Sequence, residues 1–192
     1  LSITVHPPTP SKCSLLSRGA VLVTLLAACA KPNIEPRPAP GRAIETLTIT
    51  SSVVRDGAQL PLEYSCDGNE TLPGLRWSAP PNGAQSLVLL LEEQSSDAEQ
   101  RTLMLLYHVA PSVSQLAHDA LPEGARFGRN DLEVTRYSGP CPARGEGRRY
   151  TMRIVAVDTP MDLREGLTRR EVDQAMDGHI LATGALRFGF GH

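Results

Sequence analysis

The chain has 192 residues, enough for one domain of ordinary size plus an appendage. Nineteen Lys and Arg against 21 Asp and Glu give a formal net charge of −2, which leaves no basic footprint for nucleic acid. Aromatic residues make up only 4 %, so a core must lean on Leu, Val and Ile.

The first segment reads as an address rather than as structure. Lys12 and Arg18 precede the apolar run Gly19 to Ala28, which is too short to span a bilayer as a helix. It closes on Leu26-Ala27-Ala28-Cys29, which resembles a bacterial lipobox. That resemblance implies cleavage before Cys29, thioether lipidation of its sulfur and N-acylation, as with palmitate. Ala30 after the cysteine resembles outer-membrane sorting, so the expected location is the cell envelope, on the periplasmic face of the outer membrane in a Gram-negative cell. The expected division is a signal peptide over 1–28, a lipidated, Pro-rich tether over 29–43 and a folded domain over 44–192.

Along the domain, Thr46 to Ser51 alternates apolar and polar residues and predicts a strand. Asp56-Gly57 marks a turn. Leu75 to Ser78 predicts a short strand stopped by Pro80-Pro81-Asn82-Gly83. Ser86 to Leu91 and Thr102 to Val109 are continuous apolar runs, read as buried strands, with a polar loop from Glu92 to Arg101 between them. The stretch from Tyr137 to Arg149 sets Pro140, Pro142, Gly139, Gly145 and Gly147 around Cys141, which predicts a loop of defined shape. It delivers Arg148-Arg149-Tyr150 into a strand that runs to Val157, a plausible anion site beside the alternative of ordinary exposed arginines. Thr168 with Glu171 has capping-box spacing and predicts a helix through Met176, stopped at Gly178. Ile180 to Phe188 is a last strand. Many short strands and one late helix predict a mainly β sandwich.

Of four cysteines, Cys13 leaves with the signal and Cys29 carries lipid. Cys66 and Cys141 remain, as a disulfide in an oxidising compartment or as two buried thiols. There is no metal-ligand spacing, no Gly-x-Ser-x-Gly elbow and no phosphate loop, so neither metal, cofactor nor catalysis is expected. His108 reads as a strand-end residue and His118 as part of a polar loop.

Several motifs then line up in order. Tyr64-Ser-Cys-Asp-Gly68, Leu75-Arg-Trp77, Leu121-Pro-Glu-Gly124, Gly128-Arg-Asn-Asp131, Gly139-Pro-Cys-Pro142, Arg149-Tyr150, Val155-Ala-Val-Asp158 and Gly178-His-Ile-Leu-Ala-Thr183 resemble the bacterial phosphatidylethanolamine-binding-protein family, in its YbhB/YbcL-type, Raf kinase inhibitor-like branch. The resemblance implies an antiparallel β-sandwich with a C-terminal helix and a small pocket for phosphate or phospholipid headgroups. It implies ligand-binding roles for Glu93, Arg148, Arg149, Tyr150 and Pro140, for His179 either a structural role at the helix-to-strand turn or a pocket-side one, and a Cys66–Cys141 disulfide near the pocket rim. Arg149 has a second possible role, pointing away from the pocket and bracing the loop. Three departures stand out. Glu93-Gln-Ser-Ser-Asp97 replaces an acidic loop with two prolines, Leu103-Met104 replaces a His-Trp pair, and Arg148 replaces the His of a His-Arg-Tyr run. The expected partners are a small anion or headgroup, the membrane through the anchor, and another protein. The rival readings are an interaction or inhibitor module of the kinase- or protease-regulator type with a degenerate pocket and, by family analogy only, a hydrolase.

Overall fold

The structure is a computed structural model and describes residues 36–94, 100–118 and 120–192. Cys29 and Asp97 lie outside these residues. Among the described residues, nine strands and one α-helix follow in order: β1 (Glu45–Thr46), β2 (Ile49–Ser51), β3 (Leu75–Trp77), β4 (Ser86–Gln94), β5 (Gln100–Val109), β6 (Gln115–Leu116), β7 (Arg126–Phe127), β8 (Gly147–Val157), α1 (Arg169–Met176) and β9 (Ile180–Gly191). They form a six-stranded sheet of order β1-β9-β8-β4-β5-β7 and a three-stranded sheet of order β2-β3-β6. All pairings are antiparallel except β1 with β9.

The apolar run in β4 is continuous because both faces of the strand are covered. Leu87, Leu89 and Leu91 join Met152, Ile154, Leu186 and Phe188 in a core shared with Ile49, Leu75, Trp77 and Leu116 of the small sheet. Val88 and Leu90 point the other way and pack with Val155, Val157, Val172 and Met176 under α1. Strand alternation sorts these side chains, since successive residues point to opposite faces. Helix α1 starts as its sequence predicts. The Thr168 side chain accepts from the Glu171 N–H while the Glu171 carboxylate accepts from the Thr168 N–H at 2.8 Å.

Three expectations need correction. The strand read over 46–51 is two strands in two sheets: the Leu47 N–H still bonds to Thr183 O at 2.8 Å, but Ile49 already pairs with Trp77. Here the chain crosses so close to β9 that a Cβ on Gly184 would lie 2.4 Å from Leu47 O. Of the polar loop read over 92–101, the described residues, 92–94 and 100–101, are strand. Glu92, Glu93 and Gln94 continue the β4 ladder opposite Thr102, Arg101 and Gln100, because buried partners rather than side-chain polarity decide how far the hairpin extends. Finally, the tether read over 29–43 is docked at its far end. Ala39 is buried, and its N–H bonds to Ile180 O at 2.9 Å. The Arg37 carbonyl accepts from Gly178 N at 3.0 Å, so the folded region reaches back to Arg37 rather than beginning at 44.

Candidate functional site

The loop before β8 is held from several sides. Tyr137 donates its hydroxyl to Tyr64 O at 2.8 Å, and the Ser138 N–H bonds to Leu103 O at 3.1 Å. Gly139 lies so close to the neighbouring loop that a Cβ there would sit 2.8 Å from Tyr64 O. Pro140 is buried and its carbonyl accepts from Cys66 N at 3.2 Å. Cys66 and Cys141 form a disulfide with their Cα atoms 5.4 Å apart. Asn130 ties in the other side, donating to Leu103 O at 2.8 Å and to Ser138 Oγ at 3.0 Å. The motifs around 65, 130 and 140 thus build one rigid rim.

That rim places Tyr150 inside β8 directly opposite Glu93 of β4. The phenol donates to Glu93 Oε2 at 3.1 Å. Its ring stacks on Phe188 of β9, with centroids 5.8 Å apart and planes 19° from parallel. Burial, and then the Glu93 charge, push the Tyr150 hydroxyl well above the ordinary phenol range, so it remains a neutral donor. Glu93 is only 7 % exposed and has Arg101 of β5 as its opposite neighbour on the other flank. Arg148 shares the Tyr150 face by alternation and bonds to Glu146 Oε2 at 2.9 Å. The end of the sheet therefore gathers one phenolic donor, one buried carboxylate and two guanidinium groups, above an apolar cluster that includes Leu103, Met104, Phe188 and Phe190.

The expected site residues divide accordingly. Glu93, Tyr150 and Arg148 come together. Arg149 points to the opposite face and is exposed, because neighbours in a strand alternate; of its two expected roles, only a position away from Tyr150 fits. Pro140 shapes the rim through its buried ring and carbonyl. His179 is not at this end at all. It bonds to Asp158 Oδ1 at 2.8 Å just beyond the far end of β8, eight residues from Tyr150 and so about 26 Å along the strand. The Gly-His motif at 178–179 forms the turn from helix to strand.

Arg101 and His192 escaped the sequence reading. His192 bonds through Nδ1 to Asp67 Oδ2 at 2.6 Å and through Nε2 to Pro142 O at 3.0 Å, clasping the two loops that the disulfide joins. The signal available was the alternation of Phe188, Phe190 and His192, which puts all three on one face. Arg101 could be found only from the hairpin register. On the other face of the sheet, fully buried Glu92 bonds to Arg169 at 2.6 Å and Arg153 at 3.2 Å, and Arg169 also bonds to Asp173, which braces α1 against the sheet. A groove along β6, lined by Ser114, Gln115, Leu121, Pro122 and Glu123 among others, has no Lys or Arg in its lining and gathers no comparable set of groups. Among the described residues, no three His, Cys, Asp or Glu side chains converge on a metal position.

A family model described as "Phosphatidylethanolamine-binding protein" matches residues 50–191. The chain is 31 % identical over 145 residues to a UPF0098 protein of Methanothermobacter thermautotrophicus, covering 73 % of this chain and 95 % of that one. It is 30 % identical over 138 residues to a candidate lipoprotein of Mycobacterium tuberculosis, LppC, covering 71 % of this chain and 68 % of LppC. Among solved structures, the candidate phosphatidylethanolamine-binding protein homologue CT736 of Chlamydia trachomatis superposes with a TM-score of 0.71 at 31 % identity, covering 77 % of this chain and 99 % of that one.

Proposed function

This chain belongs to the phosphatidylethanolamine-binding protein family, and we propose that it is a lipid-anchored envelope protein that binds a small phosphate-bearing ligand beside Tyr150 and catalyses nothing. The observation that carries the reading is the Tyr150–Glu93 pair flanked by Arg101 and Arg148. Two guanidinium groups and a phenol can donate to phosphate oxygens. Glu93 neutralises these cations when no ligand is present and can accept from a ligand ammonium when one is. The apolar cluster holding Leu103 and Met104 favours a headgroup with methylene carbons over bare phosphate. The anchor rests on Leu26 to Cys29 and on the likeness to LppC.

The test is titration of isotopically labelled protein with O-phosphorylethanolamine and, separately, with inorganic phosphate, followed by NMR. Shifts confined to Glu93, Arg101, Arg148 and Tyr150, larger for the first compound, support the pocket. A second reading, an interaction or inhibitor module, draws on the buried Leu103-Met104 at the position of the family's His-Trp pair. Absence of shifts with both compounds would favour it.

A further inference from the structure

The chain enters the domain at the end of the sandwich opposite Tyr150. Arg37 accepts at its carbonyl from Gly178 N and donates from its backbone N–H to Asp177 Oδ1 at 2.8 Å. Its guanidinium forks onto the same carboxylate, with Nε 3.0 Å from Oδ1 and Nη2 2.8 Å from Oδ2. Pro38 lies parallel to Ile180, and Ala39 is buried against the start of β9. Backbone bonds and a bidentate ion pair thus hold residues 37–39 at the first residue of β9. Tyr150 lies opposite Phe188, eight residues further along the same strand. At a rise of about 3.3 Å per residue, entry and site are about 26 Å apart.

Only seven residue steps separate Cys29 from Pro36. Fully extended, they reach at most about 25 Å. A site turned toward the membrane would need every one of these steps stretched along the flank of the domain. The docking of Arg37 and Ala39 denies the tether any further slack.

We propose that, in the lipidated chain, the Tyr150 site faces away from the membrane that holds Cys29 and takes a soluble phosphate ester from the aqueous space. In that orientation a headgroup of the anchoring leaflet, which has the same phosphate chemistry, lies on the other side of the domain. This inference rests on the reading of Cys29 as lipidated and of Tyr150 as a ligand site.

The experiment uses the full chain, processed in bacterial cells and reconstituted into phosphatidylcholine–phosphatidylglycerol vesicles containing a headgroup-nitroxide lipid. Fluorophores are placed by Asn82→Cys, beside the entry, and in a second protein by Arg144→Cys, in the exposed rim loop. Quenching at 82 with little at 144 is expected. Equal quenching at both positions, in protein whose N-terminal peptide carries acyl mass, overturns the orientation alone. A Cys29 peptide without acyl mass overturns the anchoring reading and the orientation with it. Radiolabelled O-phosphorylethanolamine should bind the anchored protein equally well when phosphatidylethanolamine is added to the same vesicles. Competition by that lipid overturns the inference, whereas no binding in either vesicle overturns the pocket reading.

Discussion

Tyr150 and Glu93 face each other across the β4–β8 ladder and share a hydrogen bond of 3.1 Å donated by the phenol. A carboxylate that is 7 % exposed is costly to bury unless its charge is matched, and here a phenol on one strand and a guanidinium-bearing residue on the other flank it. This pairing keeps the phenol oriented and neutral.

Tyr150→Phe should therefore weaken binding of O-phosphorylethanolamine by about 1 kcal/mol, the usual net value of one hydrogen bond, or roughly fivefold in Kd. Isothermal calorimetry reads this directly. An unchanged Kd would remove the phenol from the site.

Tyr107, Tyr137 and Tyr150 should ionise above the ordinary phenol value of 10.0, with burial as the leading cause in each case. A raised phenol pKa in the folded state means that the associated stability is intact below pH 10 and is lost as pH rises through the folded values. Absorbance titration of the phenolates should show these three groups ionising late. Glu93→Gln should bring Tyr150 earlier, because it removes the neighbouring negative charge, yet leave it above 10 because burial remains. If Glu93→Gln left the titration curve unmoved, the two groups would not be electrostatically coupled.

The Asp177 carboxyl is held down to about 2, first by the Arg37 side chain and then by the Arg37 backbone N–H. A depressed carboxyl pKa makes the contribution present above the ordinary value of 3.8 and lost as pH falls toward 2. Docking of residues 37–39 should accordingly be constant at neutral and mildly acidic pH and loosen only below about 4. In Asp177→Asn the Ala39 amide, bonded to Ile180 O, should exchange with deuterium faster at neutral pH than in the parent protein. Equal protection in both would assign the docking to Ala39 burial alone.

Replacing Cys66 and Cys141 together by serine should lower stability by about 4 kcal/mol, the chain-entropy value for a closed loop of this length. The denaturation midpoint in urea should fall accordingly, while reductant should have no further effect on the double variant. Because the bridge joins the loops on either side of the His192 clasp, loss of ligand binding in the same variant would tie rim rigidity to function.

Local sequence determined much of this protein. The capping box at Thr168 and Glu171 acts within one helical turn, so it is legible from four residues. The apolar runs in β4 and β5 announce strands buried on both faces, and the ordered motifs from Tyr64 to Thr183 carry the family. What depended on distant partners was hidden. Glu92 and Glu93 look like loop residues in sequence, yet opposite faces of the sheet bury them, one against Arg153 and Arg169 and the other against Tyr150. Arg149 and His179 matched family motifs, but strand alternation turned the first away from Tyr150 and strand length carried the second to the far end. Tertiary structure alone decided these roles, because a side chain's neighbours follow from register and strand direction, and both are set by chain segments more than 50 residues apart.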